Sequence, residues 1–229
     1  MTAHDDDDDD TPMFPLGMPL LPANTVALRV FEPRYHALVR RCLENDAAFG
    51  IVLIERGHEV GGGDTRGDVG CLARIVRHER VADGSRMISA SGVGRIVVDR
   101  WLADDPYPRA VVRPWPDELQ RVERAALRDV VAQVRRVRAL LVERGAPPTA
   151  GAADRDLDEI AAGAADPDST SAWTFLLAGL SAAGPYDLRR LLCAPGPADR
   201  LSLLAEVLDD SLALLEARPD GGGPDGPRR

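Results

Sequence analysis

The 229-residue sequence predicts an α+β fold, a small β-barrel with one interposed helix followed by an α-helical bundle. Three observations predict it. From Met13 to Trp115 the apolar residues fall into runs of strand length separated by turn residues. One amphipathic helical pattern interrupts those runs early, after a proline-punctuated extended stretch. At Asp117 the apolar period changes from two to about 3.6 and stays there.

Residues 1–12 read as a disordered acidic tail, because the unbroken aspartates from Asp5 to Asp10 repel one another. Met13, where the folded pattern begins, is a candidate alternative start. Pro15, Pro19 and Pro22 each remove a backbone donor, which places this stretch at a sheet edge or bend. Thr25 to Phe31 reads as a strand. Glu32-Pro33 then opens a helix whose apolar face is Tyr35, Leu38, Val39, Cys42 and Leu43, at i, i+3, i+4, i+7 and i+8.

Phe49 to Glu55 is a short buried strand, and Gly57 to Asp68 a glycine-rich loop. Val69 to Val81 and Arg86 to Val98 form a hairpin about Asp83-Gly84, with Gly92 and Gly94 marking a bend or bulge in the return strand. Asp104 to Pro108 is a turn, and Arg109 to Trp115 the last strand. Residues 13–116 thus form the barrel-like subdomain, with about six short antiparallel strands closing on themselves.

Residues 117–217 form the helical subdomain. Leu119, Val122, Ala126, Val130, Val134, Val137 and Leu141 make an apolar stripe along one long helix starting at Asp117. Further helices are predicted over Asp154 to Ala162, Ser169 to Ala182, Tyr186 to Leu192 and Pro197 to Ala217. The last carries Leu201, Leu204, Leu208, Leu212 and Leu215 on one face. Residues 218–229 are a Pro/Gly tail expected to be disordered.

Composition removes several chemistries. The formal charge is −9, but six of the 37 carboxylates lie in the aspartate run, leaving 31 against 28 arginines. No lysine occurs anywhere, so a P-loop, a Ser-Lys dyad and a Schiff-base lysine are all excluded. The three cysteines are dispersed and read as buried thiols in a reducing cytoplasm. No apolar run approaches the ~20 residues of a membrane span. His58, Glu59, Asp64 and Asp68 cluster in the glycine-rich loop, but their spacing fits no metal motif, and His4, His36, His58 and His78 assemble no triad. No cofactor, no metal and no catalytic residue is expected. Nucleic acid is disfavoured by the net charge and by the lack of a repeated basic and aromatic pattern.

FPLGMPLLP, VALRVFEPRYHALVRRCL, FGIVLIERGHEVGGGD, VGCLARIVRHERVADG and GVGRIVVDRWLADDPYPRA, in that order, resemble the N-terminal substrate-binding domain of Lon proteases. The segment from Asp166-Pro167 to Leu180, Tyr186 to Leu192 and Pro197 to Leu201 resemble the family's helical subdomain. The resemblance spans about residues 13–217. It implies a PUA-like β pseudobarrel and a helical bundle, in a stand-alone member without the ATPase and protease modules. The expected function is non-catalytic binding of unfolded or tagged polypeptides, with no nucleic acid and no membrane as partner. The surface expected to carry it comprises Leu16, Met18, Leu20, Leu21, His58, Glu59, Val60 and Asp83. A second expected surface is a basic face on the long helix, Arg121, Arg124, Arg128, Arg135 and Arg138, opposite its apolar stripe. That face suits a regulatory adaptor that binds a folded partner such as a protease. A small metal-dependent hydrolase using the Gly57 to Asp68 loop is the remaining alternative.

Overall fold

Pro33 opens helix α1 (Pro33–Glu44), where a missing N–H costs nothing, and Tyr35, Leu38, Val39 and Cys42 of that helix are buried against the sheet. Leu43, expected on the same stripe, lies at its exposed rim. The computed structural model describes residues 10–57, 65–146, 157–158 and 167–217. It holds six strands: β1 (Thr11–Leu16), β2 (Thr25–Val30), β3 (Phe49–Arg56), β4 (Thr65–Arg80), β5 (Arg86–Trp101) and β6 (Arg109–Pro114). Helices α2 (Arg124–Glu143), α3 (Pro167–Leu180), α4 (Pro185–Cys193) and α5 (Pro197–Ala217) follow.

The strand order is β2-β5-β4-β3-β1-β6, with β5 also paired to β6. Five strands therefore close into a ring, and β2 stands outside it. The ring is irregular: β1 runs parallel to β3, not antiparallel as expected, while the remaining pairs are antiparallel. β5 makes this possible by sharing one edge between two partners. Its residues 86–91 pair with β2 and its residues 96–101 with β6.

The sheet begins earlier than expected. Thr11 and Pro12 pair with β6, and Asp10 is buried, so the folded chain starts before Met13. Pro15 stands in the half of β1 that has a strand on one side only, where a residue without an N–H is tolerated. Gly92 and Gly94 flank a bulge in β5: Leu72 faces Gly94, Ala73 faces Gly92, and Val93 is extra and exposed. A Cβ on Gly92 would strike the Leu21 carbonyl and sit 2.9 Å from Cys71 Sγ.

Helix α2 starts at Arg124, seven residues later than the periodicity predicts. Residues 117–123 are held outside a helix by tertiary partners. Glu118 N–H donates to the Pro195 carbonyl at 3.0 Å, and Gln120 Oε1 accepts from the N–H groups of Ala198 and Asp199, capping α5 from a distance. Leu119 is fully exposed and Ala126 is exposed. The buried face is Leu127, Val130, Val131, Val134 and Val137. It packs with Leu177, Leu191, Leu204 and Leu208 into the helical core, which also takes Leu21 from the barrel lobe. Of the helix expected over Asp154 to Ala162, only 157–158 are described, and they are helical.

Candidate functional site

β2 is the open edge of the sheet. It pairs with β5 from Thr25 to Val30, and no strand of the described residues pairs with its other side. Such an edge presents unmatched N–H and C=O groups to an incoming chain. Beside it lies a cavity of about 300 Å³ lined by Phe14, Leu16, Leu28, Val30, Phe31 and Tyr35, among others. Its floor is rigid: Phe14 stacks on Tyr35 with ring centroids 4.0 Å apart and an interplanar angle of 14°. Its rim is Phe31, 55% exposed, the residue that leaves β2 toward α1. Arg34 covers the outer side, 4.6 Å from the Tyr35 ring centroid and bonded to Glu32 at 3.1 Å. The arrangement offers an apolar slot alongside backbone hydrogen-bonding groups, the two elements that strand addition uses.

The residues expected to form a binding surface divide. Leu20 and Leu21 are buried, in the barrel core and the helical core, and are packing residues, whereas Leu16, also buried in the barrel core, lines the slot beside β2. Prolines 15, 19 and 22 set an extended path whose apolar side chains turn inward to two cores. Met18 is 49% exposed. Asp83 sits at the β4–β5 hairpin tip, bonded to Arg29 and to Ser85 N–H and Oγ, contacts that lower its pKa to about 2, the Ser85 hydrogen bonds most. His58, Glu59 and Val60 lie outside the described residues, as does Asp64. Phe31 and the β2 edge were not distinguishable from core by pattern, since Thr25 to Phe31 reads simply as a strand.

The expected basic face is also rearranged. Arg121 precedes the helix and pairs with Glu123 at 3.6 Å. Arg124, Arg128, Arg135 and Arg138 do share one side of α2, but at ~100° per residue they flank the buried stripe and do not oppose it. The reason is the true stripe, which runs through Leu127 and Val131 instead of Ala126. Arg135 is engaged by Asp158 at 2.5 Å, and Arg138 is half-buried.

Between the lobes lies a buried charge cluster. Asp117 receives Arg200 Nη2 at 2.6 Å and Nη1 at 2.9 Å, Arg95 Nη2 at 2.6 Å and Ser171 Oγ at 2.6 Å. The second positive charge is met by the C-terminal end of α4, where Arg95 donates to the carbonyls of Leu192 and Ala194 and Arg200 to that of Leu191. Burial lowers the pKa of both guanidinium groups, and Asp117 opposes that shift. Phe175 and Trp115 cover them, with Arg200 3.4 Å from the Phe175 centroid and Arg95 4.3 Å from that of Trp115. Both Nη atoms of Arg95 and all three side-chain nitrogens of Arg200 have protein acceptors, so the cluster joins the two lobes.

Burial raises the Cys42 thiol to about 11 and the Cys71 thiol to about 12, keeping both protonated. No group of three or more His, Cys, Asp or Glu residues among those described is placed to hold a metal ion. No helix among them is long and apolar enough to cross a membrane.

The architecture is thus an irregular β ring with one strand left at an open edge, joined through a buried arginine pair to a helical bundle. The chain belongs to the ATP-dependent protease La (LON) substrate-binding domain family, whose model matches residues 10–210. It is similar to a solved Lon N-terminal domain protein from Xanthomonas campestris, with 25% identity and a TM-score of 0.59, covering 86% of this chain and 97% of that one. The N-terminal domain of Mycobacterium avium complex Lon protease shares the fold, at 18% identity and a TM-score of 0.57, covering 88% and 98%. A LON peptidase N-terminal domain and RING finger protein of Schizosaccharomyces pombe is 26% identical over 113 residues, 44% of this chain and 23% of that protein's length.

Proposed function

We propose that this protein is a non-catalytic module that binds unfolded polypeptide segments by strand addition to β2. The observation that carries the reading is the unpaired edge of β2 beside the apolar slot whose rim is Phe31. An extended segment gains backbone hydrogen bonds from the edge. Alternate side chains enter the slot against Phe14 and Tyr35, while the others point to water. Most strands of folded proteins have both edges paired or covered, so the site favours unfolded chain, whose extended backbone is free. Membership of the substrate-binding family supports the same reading.

The test is fluorescence anisotropy with a labelled peptide from an unfolded model protein. Saturable binding at micromolar concentration is expected, weakened about tenfold by Phe31→Glu, which places a charge at the desolvated rim. Phe31 is more than half exposed, so the variant keeps its melting temperature. Absence of saturable binding, or an unchanged affinity in Phe31→Glu, would remove the proposal.

A further inference from the structure

Where β2 ends, its register continues into a row of like charges. Val30 faces Arg86 on β5, and Arg86 faces Arg80 on β4. Directly opposed residues of antiparallel strands project to the same face, so the two arginines lie side by side on the face that α1 covers. Arg40 approaches from α1, with His36 and Ala37 on the same helical strip. Together they line a cleft of about 530 Å³ between α1 and the β4–β5 hairpin.

Among the described residues no carboxylate lines this cleft. Glu79, next to Arg80, faces Met87 and so projects from the other face of the sheet, and Asp83 at the hairpin tip is taken up by Arg29 and Ser85. Neither Arg40, Arg80 nor Arg86 forms an ion pair with any described residue. Like charges placed directly opposite one another destabilise a sheet. Fourteen described arginines pair with a carboxylate, whereas these three, brought together in one cleft, do not.

The cleft adjoins the slot beside β2. Phe31 and Glu32 border the slot, and Pro33, the next residue, lines the cleft. The strand order places a segment added to β2 on the side away from β5, so its continuation reaches the arginines by turning past Phe31 and Glu32 at the end of β2. We propose that the cleft between α1 and the β4–β5 hairpin, lined by Arg40, Arg80 and Arg86, takes the carboxylates of an acidic stretch adjoining the apolar segment held on β2. The bound polypeptide is then apolar in one part and acidic in the next. This rests on the strand-addition reading, and it adds the charge character of what is bound.

The experiment compares two labelled peptides with the same β-forming apolar segment, extended at both ends either by glutamates or by glutamines. In low salt the glutamate peptide is expected to bind about tenfold tighter, and the difference shrinks as salt is raised. In the double variant Arg40→Gln/Arg80→Gln the preference disappears while the glutamine peptide binds as before. Both side chains are exposed, so the variant folds, as a thermal melt will verify. Equal affinity of the two peptides for the unaltered protein, or a preference that survives the double variant, overturns the inference and leaves strand addition standing. Binding of neither peptide overturns both. An inorganic polyphosphate of matched charge that binds as tightly as the glutamate peptide, without regard to Phe31→Glu, would make the cleft a general polyanion site and also overturn it.

Discussion

Asp117 compensates two guanidinium groups that are almost wholly withdrawn from water, with side-chain exposures of 1% for Arg95 and 0% for Arg200. Removing the one carboxylate leaves uncompensated buried charge, so Asp117→Ala is expected to lose about 3–5 kcal/mol of stability in urea unfolding. A loss below about 1 kcal/mol would show that the α4 carbonyls alone suffice. Asp10 works through the same chemistry at the other end of the barrel, its side chain 2% exposed and bonded to Arg41 at 2.6 Å and Arg109 at 3.0 Å. Burial alone would raise its pKa, but the two arginines outweigh burial and hold the carboxyl below its ordinary value. Its contribution is therefore complete above the unfolded pKa of about 3.9 and is lost as pH falls through the lower folded value. Wild type should exceed Asp10→Asn in stability at neutral pH, and the two should converge on acidification below about pH 4. Parallel acid-unfolding curves would contradict this. The buried, protonated Cys42 and Cys71 should resist alkylation in the native protein at pH 8, scored by mass spectrometry, until denaturant is added. None of these partners was legible in the sequence. Asp10 is the last member of a charge run, and nothing local marks it from its neighbours until Arg41 and Arg109 converge on it.

Elements with local signals were readable, and those defined by distant partners were not. Helix α1 announces itself by Pro33 and by a clean period, and the β4–β5 hairpin by Asp83-Gly84. Counting outward from that hairpin tip would also have placed Arg80 opposite Arg86. The start of α2 was misread because Leu119 and Val122 fit the helical period, while Asp117, the Glu118 N–H and the Gln120 side chain are committed to α5 and the Pro195 carbonyl. The β1–β3 parallel pairing has no sequence signature, because it joins strands separated by β2 and α1. The β5 bulge was legible through its glycines, and its tolerance can be tested. Gly92→Ala forces a methyl group between Leu21 and Cys71 and should cost about 1–3 kcal/mol, measured by thermal denaturation. Gly94→Ala, with open space around its Cβ, serves as the comparison, and equal melting temperatures for the two variants would refute the close-approach account.

The molecule has two lobes, each with hydrophobic core of its own, tied together by a few specific contacts. Leu21 of the barrel lobe belongs to the helical core, Asn24 Nδ2 donates to the Phe175 carbonyl at 2.9 Å, and Arg95 of β5 donates to carbonyls beyond α4. A fragment comprising residues 10–116 would expose Leu21 and leave Arg95 without its acceptors. It should melt without a single cooperative calorimetric transition, whereas residues 10–217 should melt in one. A cooperative melt of the fragment at the intact protein's temperature would show the lobes to be independent. The change of period near Asp117 marks the passage from strands to helices, yet it is silent on this coupling, because contacts between residues 97 and 99 positions apart leave no local pattern. The same separation bears on synthesis. At about 5–20 residues per second, the carbonyls that receive Arg95 are made roughly 5–20 s after it. Through that interval the newly made barrel carries an unmatched guanidinium and a bare Leu21, beside a sheet edge suited to capturing extended chain. Until α4 is made, the extended chain tethered nearest to that edge is the protein's own unfinished remainder, and a strand-adding site as proposed would meet it before any other polypeptide.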